Sequence, residues 1–157
     1  MPEIKRNPPA RLRPAEPRDA ARLKQLAGQA YRIHATVLPR PPQAVTDDYA
    51  ALIADDAVYV AEADGDLAGL IVLLPLHNAL LLHAVAVAPE AQRRGIGGLL
   101  LRYAIEHARG QGLGAVEASV EKALLPLLGW FGRFGFDAVR SPGPGGYQRY
   151  YLRRTVS

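Results

Sequence analysis

Apolar and polar positions along this chain fall into short periodic blocks separated by turn-forming residues. Residues 10–14 read as a short strand. After Pro17 and Asp19, the residues Ala20, Leu23, Leu26, Ala27 and Ala30 recur at helical spacing, which predicts a first helix ending near Ile33. Pro39, Pro41 and Pro42 make residues 34–44 a loop, and Thr46 followed by Asp47 and Asp48 is suited to cap a second helix through Ala54. Strand-like runs at 58–61 and 67–74 flank Asp64-Gly65-Asp66, a hairpin-turn signal, and His77-Asn78 turns the chain into a third run over 79–87. Three adjacent antiparallel strands are the expected result. Beyond Pro89, the residues Ile96, Leu99, Leu100, Tyr103 and His107 share one helix face up to a stop near Gly110 or Gly112. A strand at 115–120, a helix at about 124–134 and two strands at about 137–140 and 148–153 complete the order. The plan is mixed α/β, a central twisted sheet of about six to seven strands flanked by about four helices.

Composition narrows this picture. A chain of 157 residues with 49% hydrophobic content suits one core, so a single domain over 10–157 is expected. Residues 1–9, polar and bearing Pro2, Pro8 and Pro9, read as a flexible N-terminal segment. The absence of cysteine removes disulfides, thiolate metal ligands and a thiol nucleophile, and no metal site is expected. Residues 1–14 hold no apolar stretch of signal-peptide length and no later run approaches a membrane span, which argues for a cytoplasmic protein with no membrane partner. The arginines are too dispersed to form a basic stripe, so no nucleic-acid partner is expected. Between Pro41 and Gln92 there is no Lys or Arg, while Asp47, Asp48, Asp55, Asp56, Glu62, Asp64, Asp66 and Glu90 all lie there. Two readings stay open for that tract: solvated turns, or an acidic rim that attracts a cationic amine.

The chemically informative stretch runs from Leu80 to Leu100. Gly95, Gly97 and Gly98 sit where a helix begins, so the backbone can approach a ligand closely and unpaired N–H groups face an anion together with the helix dipole. Arg93 and Arg94 add charge suited to a pyrophosphate. The alternative is that the small residues only let the helix pack closely, with the arginines exposed. A P-loop is excluded because Leu99-Leu100, not Lys-Ser or Lys-Thr, follows the last glycine. A dinucleotide fingerprint is excluded because residues separate Val87 from Gly95 and position 100 is Leu.

Gln92-Arg93-Arg94-Gly95-Ile96-Gly97 resembles the Q/R-x-x-G-x-G/A signature of the GNAT superfamily of acetyltransferases, and Val85-Ala86-Val87-Ala88-Pro89-Glu90 is similar to the strand and turn before it. Weaker similarity extends over residues 10–153, including Pro41-Pro42 to Asp48-Tyr49 and Arg133-Phe134-Gly135-Phe136. The resemblance implies a GNAT-like fold and an N-acetyltransferase that moves an acetyl group from acetyl-CoA, as co-substrate, to a primary amine of a small molecule or peptide by direct attack. It also implies that the backbone of Gln92, Arg93, Arg94, Gly95, Ile96, Gly97 and Gly98 holds the CoA pyrophosphate. In the same way, Val85, Ala86 and Val87 would pair with the pantetheine arm in a splay between parallel strands. A homodimer is left open.

Direct attack needs a neutral amine, a polarised thioester carbonyl and a fate for the thiolate. Many relatives carry Glu or Asp where this chain has His83; because histidine is the side-chain type suited to proton transfer near neutral pH, His83 is the candidate base, and the alternative is a histidine satisfied within the sheet. By strand parity His83 shares a face with Val85 and Val87. Where many relatives carry Asn and Tyr on the later helix, this chain has Leu127 and Phe131. A thiol with a pKa near about 8.5 leaves without an obligatory acid, and Tyr150 or Tyr151 stays open as a substitute. The enzyme reading therefore stands beside two others: an acyl-CoA-binding domain with weak or no catalysis that acts as a sensor or interaction module, and a nucleotide-binding α/β domain.

Overall fold

The computed structural model describes residues 10–38, 40–141 and 148–156. The expected flexible segment at 1–9 and Pro39 lie outside the described residues. Within them the chain runs β1 (Arg11–Pro14), α1 (Ala20–Tyr31), α2 (Gln43–Thr46), α3 (Tyr49–Ala54), β2 (Val58–Ala63), β3 (Asp66–Leu76), β4 (Ala79–Val87), α4 (Ile96–Gly110), β5 (Ala115–Glu121), α5 (Pro126–Arg133), β6 (Asp137–Arg140) and β7 (Arg149–Thr155). Asp64 and Gly65 take φ of 55° and 80°, the left-handed pair that a two-residue hairpin loop requires, and Ala63 faces Asp66 across it. The proline-bearing loop holds a short helix, α2, that no periodicity announces. As a result the capped helix begins later than expected. Thr46 Oγ1 turns back to the Gln43 carbonyl at 3.4 Å, and Asp48, whose side chain accepts from Ala51 N–H at 3.2 Å, is the N-cap.

The strands form one sheet in the order β1-β2-β3-β4-β5-β7-β6, antiparallel throughout except between β4 and β5. That parallel pairing covers only Ala79 with Ala115, Leu80 with Val116 and Leu81 with Glu117. Beyond it both strands continue but part from one another. β3 is buried from Leu67 to Leu73, so helices cover both of its faces. On one face Gly69 allows close approach: a Cβ there would lie 3.0 Å from Ile96 Cγ2 and 3.0 Å from Leu100 Cδ1 of α4. α5 lies on the α4 face, because Phe134 just beyond it accepts from Arg154 Nε at 2.7 Å and Arg154 shares a face with Leu152 and Val116. α1 packs on β3 and β4 from the other face, with α2 and α3 beside it. The core joins Leu23 and Leu26 of α1, Val60, Leu70 and Ile71 of the sheet, and Leu100 and Leu101 of α4. Among the described residues no helix is long and apolar enough to cross a membrane.

An ion network anchors the first strand. Arg13 Nη1 and Nη2 reach the two carboxylate oxygens of Asp19 at 2.7 and 3.1 Å, and Arg13 Nε reaches Glu62 at 2.7 Å. The Arg13 guanidinium, ahead of the Glu16 backbone N–H, holds the Asp19 carboxyl below the usual carboxylate range. A depressed carboxyl stabilises the fold above its unfolded value of about 3.9, and that contribution is lost as pH falls through the folded value. We therefore expect urea-unfolding free energy to drop below about pH 4. Asp19→Asn should lose about 2 kcal/mol at pH 7 and flatten the acid slope. An unchanged slope in that variant would show that other carboxylates carry the acid sensitivity.

Candidate active site

β4 carries the strand half of the site. Val72 pairs with Ala84 and Leu73 with Leu82, so His83 is an extra residue with no partner across on β3. This bulge breaks the expected parity. Gly69 and Ile71 pair with Val87 and Val85, which places those two valines on the α4 face. His83 instead meets Asp47, which follows α2: Nε2 lies 3.1 Å from Asp47 Oδ1, with side-chain exposures of 20% and 11%. His83 therefore does not share the face of Val85 and Val87, because the extra residue shifts the phase of the alternation. It sits two residues past Leu81, where the β4–β5 pairing ends.

The glycine turn carries the other half. Arg93 and Gly95 take φ of 67° and 78°, and Gly95 is the N-cap of α4. Leu99 N–H donates to the Gly95 carbonyl at 3.0 Å, so the amides of Ile96, Gly97 and Gly98 precede the first intrahelical bond. Gln92 Nε2 ties the turn to the end of β4 through the Val87 carbonyl at 3.4 Å. Arg94 reaches Asp64 of the β2–β3 turn at 3.3 Å, and Arg93 is exposed. The two later glycines also serve packing. A Cβ at Gly97 would lie 3.2 Å from Trp130 Cζ2, and one at Gly98 would lie 3.0 Å from Phe134 Cζ. Trp130 and Phe134, with Arg102 and Arg133, line a shallow recess between α4 and α5.

Most acids of the tract are engaged one by one and do not line up as a rim. Glu62 pairs with Arg13, Asp64 with Arg94, Asp66 with Arg22 at 3.4 Å, and Asp48 caps α3. Asp47 alone of these turns to His83, and its Oδ2 is buried without a hydrogen-bond partner among the described residues. Nothing in the sequence separates Asp47 from Asp48, since either suits a cap. Asp47 is held by its own N–H on the Gln43 carbonyl at 2.9 Å and by Tyr49, whose buried hydroxyl donates to the Ala44 carbonyl. Burial first, then the Asp47 carboxylate, pushes the Tyr49 phenol well above its ordinary value.

Phe131 is buried in edge-to-face contact with Trp130 and Phe136, at ring separations of 5.0 and 5.3 Å. Leu127 is partly buried against the same core. Tyr150 pairs with Val120 and so lies on the α5 face. Tyr151 pairs with Ser119 on the opposite face, with the Arg140 guanidinium 5.6 Å from its ring centre.

A family model described as "Acetyltransferase (GNAT) family" matches residues 21–136. Streptothricin acetyltransferase from Streptomyces lavendulae is 35% identical over 86 residues, which cover 53% of this chain and 46% of that protein. The match thus spans less than half the length of that relative. Among solved structures, the PaiA N-acetyltransferase of Thermoplasma acidophilum in complex with coenzyme A superposes with a TM-score of 0.82 at 17% identity, covering 93% of this chain and 98% of that one. Nourseothricin acetyltransferase superposes with a TM-score of 0.56 at 28% identity, covering 64% of this chain and 65% of that one.

Proposed function

We propose that this chain, which belongs to the acetyltransferase (GNAT) family, moves an acetyl group from acetyl-CoA to a primary amine by direct attack. The observation that carries the reading is the parting of β4 from β5 beyond Leu81 and Glu117, which opens the sheet between the glycine turn and His83. The amides of Ile96, Gly97 and Gly98, with Arg93 and Arg94, suit the pyrophosphate. The unpaired β4 edge at Val85, Ala86 and Val87 suits the pantetheine arm, and the thioester would lie in the opening. His83 then accepts the proton from the amine. The two reactants would approach from different sides, the cofactor from the α4 face and the amine from the side of α2. The thiolate leaves at neutral pH unaided or takes a proton from Tyr150, which lies on the α5 face.

Relatives named for streptothricin and nourseothricin favour a small-molecule amine over a peptide. A cytoplasmic location belongs to the same reading. A second reading, an acyl-CoA-binding module without efficient turnover, is favoured by Phe131, which is locked between two aromatic rings and offers no proton. Steady-state release of CoA thiol in the presence of an amine panel tests both. Saturable, amine-dependent release is expected. Tight acetyl-CoA binding without release would favour the binding module, and no binding would overturn both readings.

A further inference from the structure

We propose that Asp47 is a positioning residue that fixes His83 as the base with Nδ1 as its proton-accepting atom, an inference that rests on the reading of His83 above. An ionised carboxylate only accepts hydrogen bonds, so the 3.1 Å contact between Asp47 Oδ1 and His83 Nε2 requires the ring proton on Nε2. Nδ1 is then the nitrogen with a free lone pair. When the amine nitrogen bonds to the acetyl carbon, the carbon–sulfur bond breaks and its electron pair leaves with sulfur. The proton shed by the amine goes to Nδ1, and the imidazolium so formed faces a carboxylate.

Three observations favour this role over a structural one. The Asp47 side chain caps no helix: it closes α2 only through its backbone N–H, and the side chain that caps α3 is that of Asp48. Its second oxygen, Oδ2, is buried with no donor among the described residues, so the charge is under-compensated and is relieved when His83 becomes a cation. Its place is set by the bond from its N–H back to the carbonyl of Gln43, the first residue of α2, and by the buried Tyr49. Tyr49, from α3, is the other titratable group that senses the Asp47 carboxylate. The sequence places the pair 36 residues apart, and the bulge at His83 brings them together.

The test is a double-mutant cycle read in kcat, in the pH profile and in acetyl-CoA affinity. In Asp47→Asn the new amide can donate to Nε2 and drive the proton onto Nδ1, so kcat should fall about 10- to 100-fold with cofactor affinity kept. The acid limb of kcat/KM should move to lower pH, because a negative charge beside the imidazolium is gone. Asp47→Glu should recover part of the rate. In a His83→Ala background Asp47→Asn should have no further effect. Wild-type kcat in Asp47→Asn, while His83→Ala loses turnover, would overturn this inference alone. The same fold-loss in both backgrounds would also overturn it, since Asp47 would then act apart from His83. Full turnover in His83→Ala would overturn the reading of His83 as base, and the positioning role with it.

Discussion

A Gly97→Asp protein is expected to fold yet bind acetyl-CoA about 100-fold more weakly than a Gly97→Ala protein, a gap of about 2.7 kcal/mol. Alanine is the right reference because any side chain at this position meets α5. A Cβ would lie 3.2 Å from Trp130 Cζ2 and 3.7 Å from Val87 Cγ2, so the indole must give by a few tenths of an ångström in both variants. Aspartate adds only the carboxylate. In the first turn of α4 that charge is favourable to the helix itself, so stability should not fall below that of the alanine variant. The same charge occupies the amides of the turn and repels phosphate. Calorimetric titration of both variants with acetyl-CoA separates the terms. Equal affinity in the two would mean that the glycines at 97 and 98 serve α5 alone and that the pyrophosphate lies elsewhere.

His83→Ala should lower kcat by about 10²- to 10⁴-fold while leaving acetyl-CoA affinity nearly intact. The base must be neutral to accept a proton, so wild-type activity should rise with pH through the ionisation of His83 or of the amine it serves. In the variant only the limb set by the amine should remain. The substitution also strips Asp47 Oδ1 of its partner beside an Oδ2 that already lacks one, a cost of about 1–3 kcal/mol. Thermal unfolding must therefore be followed alongside turnover. A folded variant with wild-type kcat and an unchanged profile would make the histidine a structural residue and leave deprotonation of the amine to water.

Much of the fold was legible because particular residues permit few alternatives. Asp64-Gly65 needs two left-handed angles in succession, and the hairpin formed there. Of the helix face drawn by Ile96, Leu99, Leu100, Tyr103 and His107, Ile96 and Leu100 are fully buried while Leu99, Tyr103 and His107 are only half-buried, because the buried face of α4 turns through Leu101, Ala104, Ile105 and Ala108. Gly95, expected where a helix begins, is the N-cap of α4. The bulge was not, for a physical reason: β4 is apolar at every position except His83, so a period of two leaves no mark by which a shift of phase could be seen. α2 was hidden because four residues carry too little periodicity to stand out from the prolines around them. The roles of Asp47 and Asp48 depend on where α3 starts, and that is settled by the packing of Tyr49. The partners of the acidic tract come from distant arginines, as with Arg13 and Glu62, which are 49 residues apart.

The bulge at His83 also makes β4 a strand in two halves with opposite phase. Removing His83 would leave Leu82 and Ala84 adjacent, facing Leu73 and Val72 in an unbroken ladder, each still on its own side of the sheet. Removing a residue well inside either half would instead turn part of the strand inside out. The position is thus a self-contained insertion in the scaffold: the residue that carries the proposed chemistry is also the one the ladder can lose without re-facing its neighbours. A lineage could gain or discard the group at this point by a single codon insertion or deletion, with the core of the sheet left in frame.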